Sequence, residues 1–182
     1  MRIVAGKHRS RVLKTLEGAD TRPTSDKVKE AVFSKIGPYF EGGIILDLFS
    51  GSGNIALEAI SRGFEKAIMA DKAKKAVEII KGNVALLKEE AKCEIWLADY
   101  KKALSICQKQ QLKFDLIYLD PPYQLALINE LVDKISKYDL LQKKGIIVCE
   151  SLEKEDIRVE KPYLIEKQAS YGTVKVTYIR KE

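Results

Sequence analysis

The chain is poor in the residues that many enzyme mechanisms recruit. Its 182 residues hold a single histidine, His8. A multi-histidine metal centre is therefore excluded, and a Ser-His-Asp triad would have to draw on a residue set in the basic stretch Lys7-His8-Arg9. Cysteine is nearly as scarce: Cys93, Cys107 and Cys149 lie far apart and form no CxxC pair. That spacing fits neither a zinc site nor a disulfide framework; it suits reduced thiols in a cytosolic protein. No run reaches the roughly 18 apolar residues that a membrane span needs. Met1 to His8 contain no apolar h-region, so the expectation is a cytosolic chain without a secretory signal. Repeats, low-complexity tracts and a linker are also missing, which points to one domain over 1–182.

What is present is enough for a folded core. Hydrophobic residues make up 46% and charged residues 32% of the chain, which argues against disorder. A chain of this length buries about 70% of its unfolded surface. Charge is unevenly placed. The first 14 residues contain five cations and no acid, and residues 1–35 hold nine Lys/Arg against four acids, while the whole chain is only +6. Cations gathered at one end suggest a polyanion such as RNA or DNA touched there, the alternative being a solvated basic terminus.

The pattern along the chain is α/β. Ile3-Val4 and Val12-Leu13 flank Gly6-Lys7-His8-Arg9 and read as a short basic β-hairpin, an extension over 1–20. Pro23 and Thr24-Ser25 open a helix that carries Val28, Val32, Phe33 and Ile36 at helical spacing. From residue 44 onward, apolar runs at 44–49, 66–70, 93–97, 114–119 and 145–150 alternate with helices near 54–62, 73–90, 100–110 and 125–137. Runs apolar on both faces are strands of a parallel sheet covered on each side, a doubly wound architecture. Tyr163–Ser170 and Val174–Arg180 flank Tyr171-Gly172 as a terminal antiparallel hairpin. Ligands of such sheets bind beyond the carboxyl ends of the strands. Those ends carry Asp47, Asp71, Asp99 and Asp120.

Asp47-Leu-Phe-Ser-Gly-Ser-Gly-Asn-Ile-Ala56 joins a strand to a helix. Glycines let the backbone approach a ligand, and the helix start offers free N–H groups. Gly51, Gly53 and Ala56 satisfy GxGxx(G/A), and Asp71 follows Gly51 by 20 residues, as in dinucleotide sites. Asp47 argues against a nicotinamide dinucleotide. A carboxylate within an apolar run is costly unless compensated; it repels a pyrophosphate but favours the ammonium and sulfonium of S-adenosylmethionine. The other reading of Asp47 is a cap on nearby backbone N–H groups. Strand order makes Asp71 a candidate for ribose hydroxyls and Asp99 for the adenine amino group, although each is also placed to cap the helix that follows it.

Asp120-Pro121-Pro122-Tyr123 ends the strand Phe-Asp-Leu-Ile-Tyr-Leu. Two prolines fix φ and remove two N–H donors, leaving a rigid, acceptor-rich segment. A carboxylate and a carbonyl held this way can accept both hydrogens of an exocyclic amino group, freeing its lone pair for an electrophile. Tyr123 offers a face on which a base extruded from its helix can stack. With the glycine turn, this points to methyl transfer onto a base amino group, with orientation carrying most of the catalysis. The alternative is a rigid turn bearing a surface tyrosine.

Asp-Leu-Phe-Ser-Gly-Ser-Gly followed by Asp-Pro-Pro-Tyr resembles class I S-adenosylmethionine-dependent amino-methyltransferases. Met-Arg-Ile-Val-Ala-Gly-Lys-His-Arg-Ser-Arg-Val-Leu and Thr-Arg-Pro-Thr-Ser-Asp-Lys-Val-Lys-Glu-Ala-Val-Phe are similar to the RsmD-like family of bacterial 16S rRNA guanine-N2 methyltransferases. The resemblance implies a Rossmann-like sheet of seven strands with the last antiparallel. It implies a hairpin contacting rRNA, with Arg2, Lys7, His8, Arg9, Arg11 and Arg22 as candidate contacts. It also implies the small ribosomal subunit, assembled or partly so, as substrate. Asp47, Phe49, Ser50, Gly51 and Gly53 map onto the cofactor loop, Asp99 onto the adenine-binding acid, and Asp120, Pro121, Pro122 and Tyr123 onto the catalytic tetrad.

One position departs from the family. The usual ribose-binding Glu, two residues before Asp71, is Met69, so either Asp71 takes its place or the ribose is held less tightly. Arg22 and Thr24 are read equally well as part of a cofactor or RNA contact and as part of a helix start. Three other activities fit parts of the pattern: adenine-N6 methylation of RNA or DNA, nicotinamide-dependent oxidoreduction on the glycine spacing alone, and RNA binding without catalysis. A monomer is expected.

Overall fold

The apolar runs form the inner strands of one sheet. In the computed structural model, which describes residues 1–16 and 26–182, the strands are β1 (Ile44–Asp47), β2 (Lys66–Asp71), β3 (Cys93–Leu97), β4 (Phe114–Leu119), β5 (Leu141–Leu152), β6 (Tyr163–Tyr171) and β7 (Val174–Lys181). The helices are α1 (Asp26–Ile36), α2 (Asn54–Ser61), α3 (Lys74–Leu87), α4 (Tyr100–Lys109) and α5 (Ile128–Lys137). Strand order is β3-β2-β1-β4-β5-β7-β6. The first five strands pair in parallel, and β7 runs antiparallel between β5 and β6. This is the Rossmann-like methyltransferase sheet. Order reverses at β1, whose neighbours are β2 and β4, so a crevice opens beyond their carboxyl ends. No helix among the described residues is long and apolar enough to cross a membrane.

Alternation along each strand divides the core in two. Ile45, Ala67, Met69, Leu116, Tyr118 and Val148 face α1, α2, α3 and the N-terminal arm. Leu46, Ile68, Ile117, Leu119 and Ile147 face α4 and α5. Side chains two apart share a face, so Asp71, Asp47 and Glu150 fall on the first face with Met69, Ile45 and Val148. Helix α2 is buried along its whole length. Its Glu58, fully buried, is 3.2 Å from Lys29 Nζ of α1 and 2.7 Å from Arg62 Nε. Lys29 also donates to Asn54 Oδ1 at 2.7 Å and to the Arg2 carbonyl. Burial lowers the Lys29 pKa, and the Glu58 and Asp26 carboxylates oppose that shift.

The amino-terminal hairpin is present but short: Arg2 and Val12 form an antiparallel bridge, and Ile3 N–H donates to the Arg11 carbonyl at 2.9 Å, Ser10 N–H to the Ile3 carbonyl at 2.8 Å and Leu13 N–H to the Met1 carbonyl at 3.0 Å, with Ile3 and Leu13 inserted into the core. Helix α2 fastens the hairpin to the core. Val4 and Ala5 N–H donate to the Glu58 carboxylate at 2.8 and 3.0 Å, Lys7 N–H to the Ser61 carbonyl at 2.8 Å and His8 N–H to Ser61 Oγ at 2.9 Å. Strand β5 begins four residues earlier than the apolar pattern indicates. Gln142-Lys143-Lys144 are exposed, so hydropathy hides their pairing, and the β4–β5 register shifts between Phe114 and Leu116. The helical pattern expected from 125 starts instead as a 3₁₀ turn at Tyr123–Leu125 and resumes at Ile128. Arg22 and the Pro23-Thr24-Ser25 helix opening lie outside the described residues.

Candidate active site

The turn after β1 is drawn tight by its own backbone. Gly53 N–H donates to the Ser50 carbonyl at 2.7 Å, Ser50 N–H to the Ala70 carbonyl at 3.1 Å, and Ser50 Oγ to the Asp47 carbonyl at 2.9 Å. Gly51 and Gly53 have φ of 55° and 78°, conformations that cost a side-chain-bearing residue strain. A Cβ at Gly53 would sit 3.2 Å from Met69 Sδ. At Gly51 it would meet no atom within 4 Å, so the space beside that peptide is open.

Asp71 secures the turn from β2. Its Oδ2 accepts from Gly51 N–H and its Oδ1 from Ala73 N–H, both at 2.9 Å. Met69, on the same face one step inward, is fully buried in the core beneath Gly53. The acid that reaches the turn is thus Asp71. Asp99 caps α4, its Oδ1 accepting from Lys102 N–H at 2.8 Å. The next residue, Tyr100, packs on Phe49 with ring centroids 6.0 Å apart.

Asp47 is 2% exposed. Burial pushes its carboxyl up to about 7, with the Asp71 charge adding to the shift and hydrogen bonds from Phe49, Ser50 and Ala56 opposing it. Asp47 thus accepts from backbone donors and also lines the crevice. Asp120 stands beyond the end of β4. Burial, and then the Glu150 and Asp47 carboxylates, raise its pKa well above the usual carboxylate range. Leu125 N–H closes on the Pro122 carbonyl at 3.0 Å, fixing the turn that presents Tyr123.

These residues surround one cavity of about 780 Å³. Asp47, Phe49, Ser50, Gly51, Asp71, Asp99, Asp120, Pro121, Pro122 and Tyr123 all line it, while Gly53 lies behind the turn. Its described walls carry four aspartates against Lys72 and Lys101, an acidic setting in a basic protein. Sequence reasoning passed over several wall residues. Tyr118 is hidden within an apolar run, and Tyr100 could have been found as the aromatic that follows Asp99. Met1, Thr15 and Leu16 line the cavity because the arm folds back on α2. Asn54, also in the wall, keeps a buried Nδ2 donor with no acceptor among the described residues.

The basic residues of the arm separate into two sets. Arg9 and Arg11 are exposed, and Arg2 is exposed with its Nε 3.5 Å from Asp26. His8 Nε2 and Lys7 Nζ instead donate to Glu89 Oε1 at 2.6 and 2.9 Å. Burial would raise the Glu89 carboxyl, but these two hydrogen bonds together with the Lys92 and Lys7 charges lower its pKa. His8 is largely enclosed, and Lys7 keeps an exposed stem.

A family model described as "Conserved hypothetical protein 95" matches residues 1–180. The Bacillus subtilis protein YlbH is 39% identical over 186 aligned residues, which cover 100% of this chain and 99% of that one. A Haemophilus influenzae protein named "Ribosomal RNA small subunit methyltransferase D" is 29% identical, with 96% of this chain and 90% of that one covered. A solved Escherichia coli structure superposes with a TM-score of 0.86 at 24% identity over 100% of this chain and 98% of that one, a likeness of fold.

Proposed function

The chain belongs to the conserved hypothetical protein 95 family, the RsmD-like family of the sequence resemblance, and from this together with its cavity we infer that it methylates the exocyclic N2 of a guanine in small-subunit (16S) rRNA, with S-adenosylmethionine as donor. The observation that carries the reading is the cavity itself. Buried Asp47 and the rigid Asp120-Pro121-Pro122-Tyr123 face one crevice at the point where strand order reverses.

The residues present fit the donor. An acid-lined wall suits a cation and disfavours a pyrophosphate, and the open space beside Gly51 admits a ligand against the backbone. Asn54 Nδ2, buried in the wall with no acceptor among the described residues, is placed to donate to a ligand. When bound, S-adenosylmethionine supplies an electrophilic sulfonium methyl. Asp47 holds the ammonium end. Asp71 offers the ribose hydroxyls the lone pairs not used by Gly51 and Ala73. Asp99 accepts from the adenine amino group with the capacity its cap leaves over, and Phe49 with Tyr100 forms the aromatic wall beside the purine.

Asp120 and the adjacent backbone carbonyl accept the two hydrogens of the target amino group and aim its lone pair into the cavity. Tyr123 stacks on the extruded base. Catalysis rests on this orientation and on Asp120 stabilising the charge that develops on nitrogen. Exposed Arg9 and Arg11 lie on the arm that also supplies Met1, Thr15 and Leu16 to the wall. RNA held by the arm is thereby brought to the cavity mouth.

The test is nucleoside analysis of small-subunit rRNA from cells with and without the chain. Loss of one N2-methylguanosine on deletion, restored by the parent sequence and not by Asp120→Ala, is expected. Loss of N6-methyladenosine instead would keep the chemistry and overturn the base. An unchanged nucleoside profile would overturn the reading.

A further inference from the structure

One buried carboxylate takes no part in the chemistry above. Glu150, on β5, is 2% exposed. The β4–β5 register pairs Tyr118 with Val148 and Leu119 with Cys149, and continued by one residue it sets Asp120 opposite Glu150. On the other side, Asp47 of β1 is the register partner of Tyr118. Alternation puts Asp47, Tyr118, Asp120 and Glu150 on one face of the sheet, at its carboxyl edge. The fully buried Tyr118 hydroxyl donates to Glu150 Oε1. Two carboxylates side by side on neighbouring strands cannot both ionise freely, and their surroundings decide which of them carries a proton.

We propose that Glu150, which accepts a hydrogen bond from the Tyr118 hydroxyl, is a positioning residue that makes Asp120 the acceptor of the proton released from the target amino nitrogen. The inference rests on the methyl-transfer reading. As the new N–C bond forms, the C–S bond of the donor breaks with its electron pair left on sulfur. The amino nitrogen, cationic at that point, gives one proton to an Asp120 carboxylate oxygen. Sulfur and Asp120 both end neutral, and the proton leaves through the cavity mouth.

The surroundings support this division of roles. A hydrogen bond from a neutral hydroxyl favours the charged form of the carboxylate that accepts it. Burial and the Glu150 charge raise the Tyr118 pKa, so its proton stays in place to be donated. Asp120 accepts no such bond from Tyr118, and burial, Glu150 and Asp47 all raise its affinity for a proton. The other titratable or charged groups around the pair, among the described residues, are Asp71 on β2, Tyr178 on β7, and Tyr123 and Lys101 on the cavity wall.

The decisive measurement needs neither donor nor RNA. The chain is labelled with carboxyl-¹³C aspartate and titrated by NMR, the Asp120 signal being assigned by its loss in Asp120→Asn. Glu150→Gln is expected to lower the Asp120 midpoint by about one pH unit, a tenfold loss of proton affinity. Tyr118→Phe, which keeps both carboxylates but removes the hydroxyl from which Glu150 accepts, is expected to lower it by less. It also reads the same pair should Glu150→Gln fail to fold. In single-turnover methyl transfer, the acid limb should move to lower pH with the midpoint, a shift that a merely structural residue would not cause. An Asp120 midpoint unchanged in the folded variants overturns the inference alone. A parent chain that forms no methylated nucleoside overturns the reading beneath it.

Discussion

Asp47→Asn should make the protein more stable while weakening its hold on the donor. Folded Asp47 keeps its proton up to about pH 7, against an ordinary value of 3.8. Between those values the native state binds one more proton than the unfolded chain. Stability therefore falls as pH rises through that window, and the whole penalty is present above it. Three pH units at about 1.4 kcal/mol each set an upper bound of roughly 4 kcal/mol. Asparagine carries no charge to bury, and its oxygen still accepts from the donors around it, though less strongly. A gain of about 2–3 kcal/mol at pH 8 is expected, or roughly 4–12 °C in Tm for a chain of this size. Near pH 4 the gain should vanish. Urea unfolding of parent and variant at the two pH values measures it. A variant no more stable at pH 8, or equally stabilised at both, would refute the assignment of a destabilising buried charge. Calorimetry on the same samples should show S-adenosylmethionine affinity reduced tenfold or more, as expected of a residue whose burial serves binding at the expense of stability.

Glu58→Ala would leave Lys29 without the carboxylate 3.2 Å away and the Val4 and Ala5 N–H groups without their acceptor. A loss of about 3–5 kcal/mol is expected by urea unfolding, and a loss under about 1 kcal/mol would show that the pair contributes little. Asp71→Ala frees the Gly51 and Ala73 N–H groups and should weaken donor binding in calorimetry; unchanged affinity would remove Asp71 from the ribose role. Replacing Arg9 and Arg11 by Ala should weaken RNA binding and flatten its log–log salt dependence by about 1.5, with donor affinity unchanged. Equal slopes for the two proteins would remove these arginines from the RNA contact.

Much of the sheet was legible because its inner strands are apolar on both faces, a pattern that survives any choice of neighbours. The crevice was legible for the same reason. Asp47, Asp71, Asp99 and Asp120 end four such runs, and parallel strands bring their carboxyl ends together. The arm was harder to read. Alternation of Ile3 and Val4 with Val12 and Leu13 indicated a hairpin, but the N–H groups of Val4 and Ala5 are claimed by Glu58, 53 residues away from Ala5, and no local pattern encodes that. His8 and Lys7 were read as candidate RNA contacts, since nothing near them in sequence points to Glu89. Tyr118 and Glu150 were invisible for a different reason: each lies in an apolar run, and only the β4–β5 register makes them neighbours of Asp120.

The central claim is tested most directly by incubating the chain with methyl-labelled S-adenosylmethionine and small ribosomal subunits that lack the modification. The RNA is then digested and the labelled nucleoside identified. N2-methylguanosine is the expected product, formed by the parent and lost in Asp120→Ala. Label in N6-methyladenosine would contradict the guanine assignment, and no label in a preparation that also fails to bind the donor would contradict methyl transfer itself.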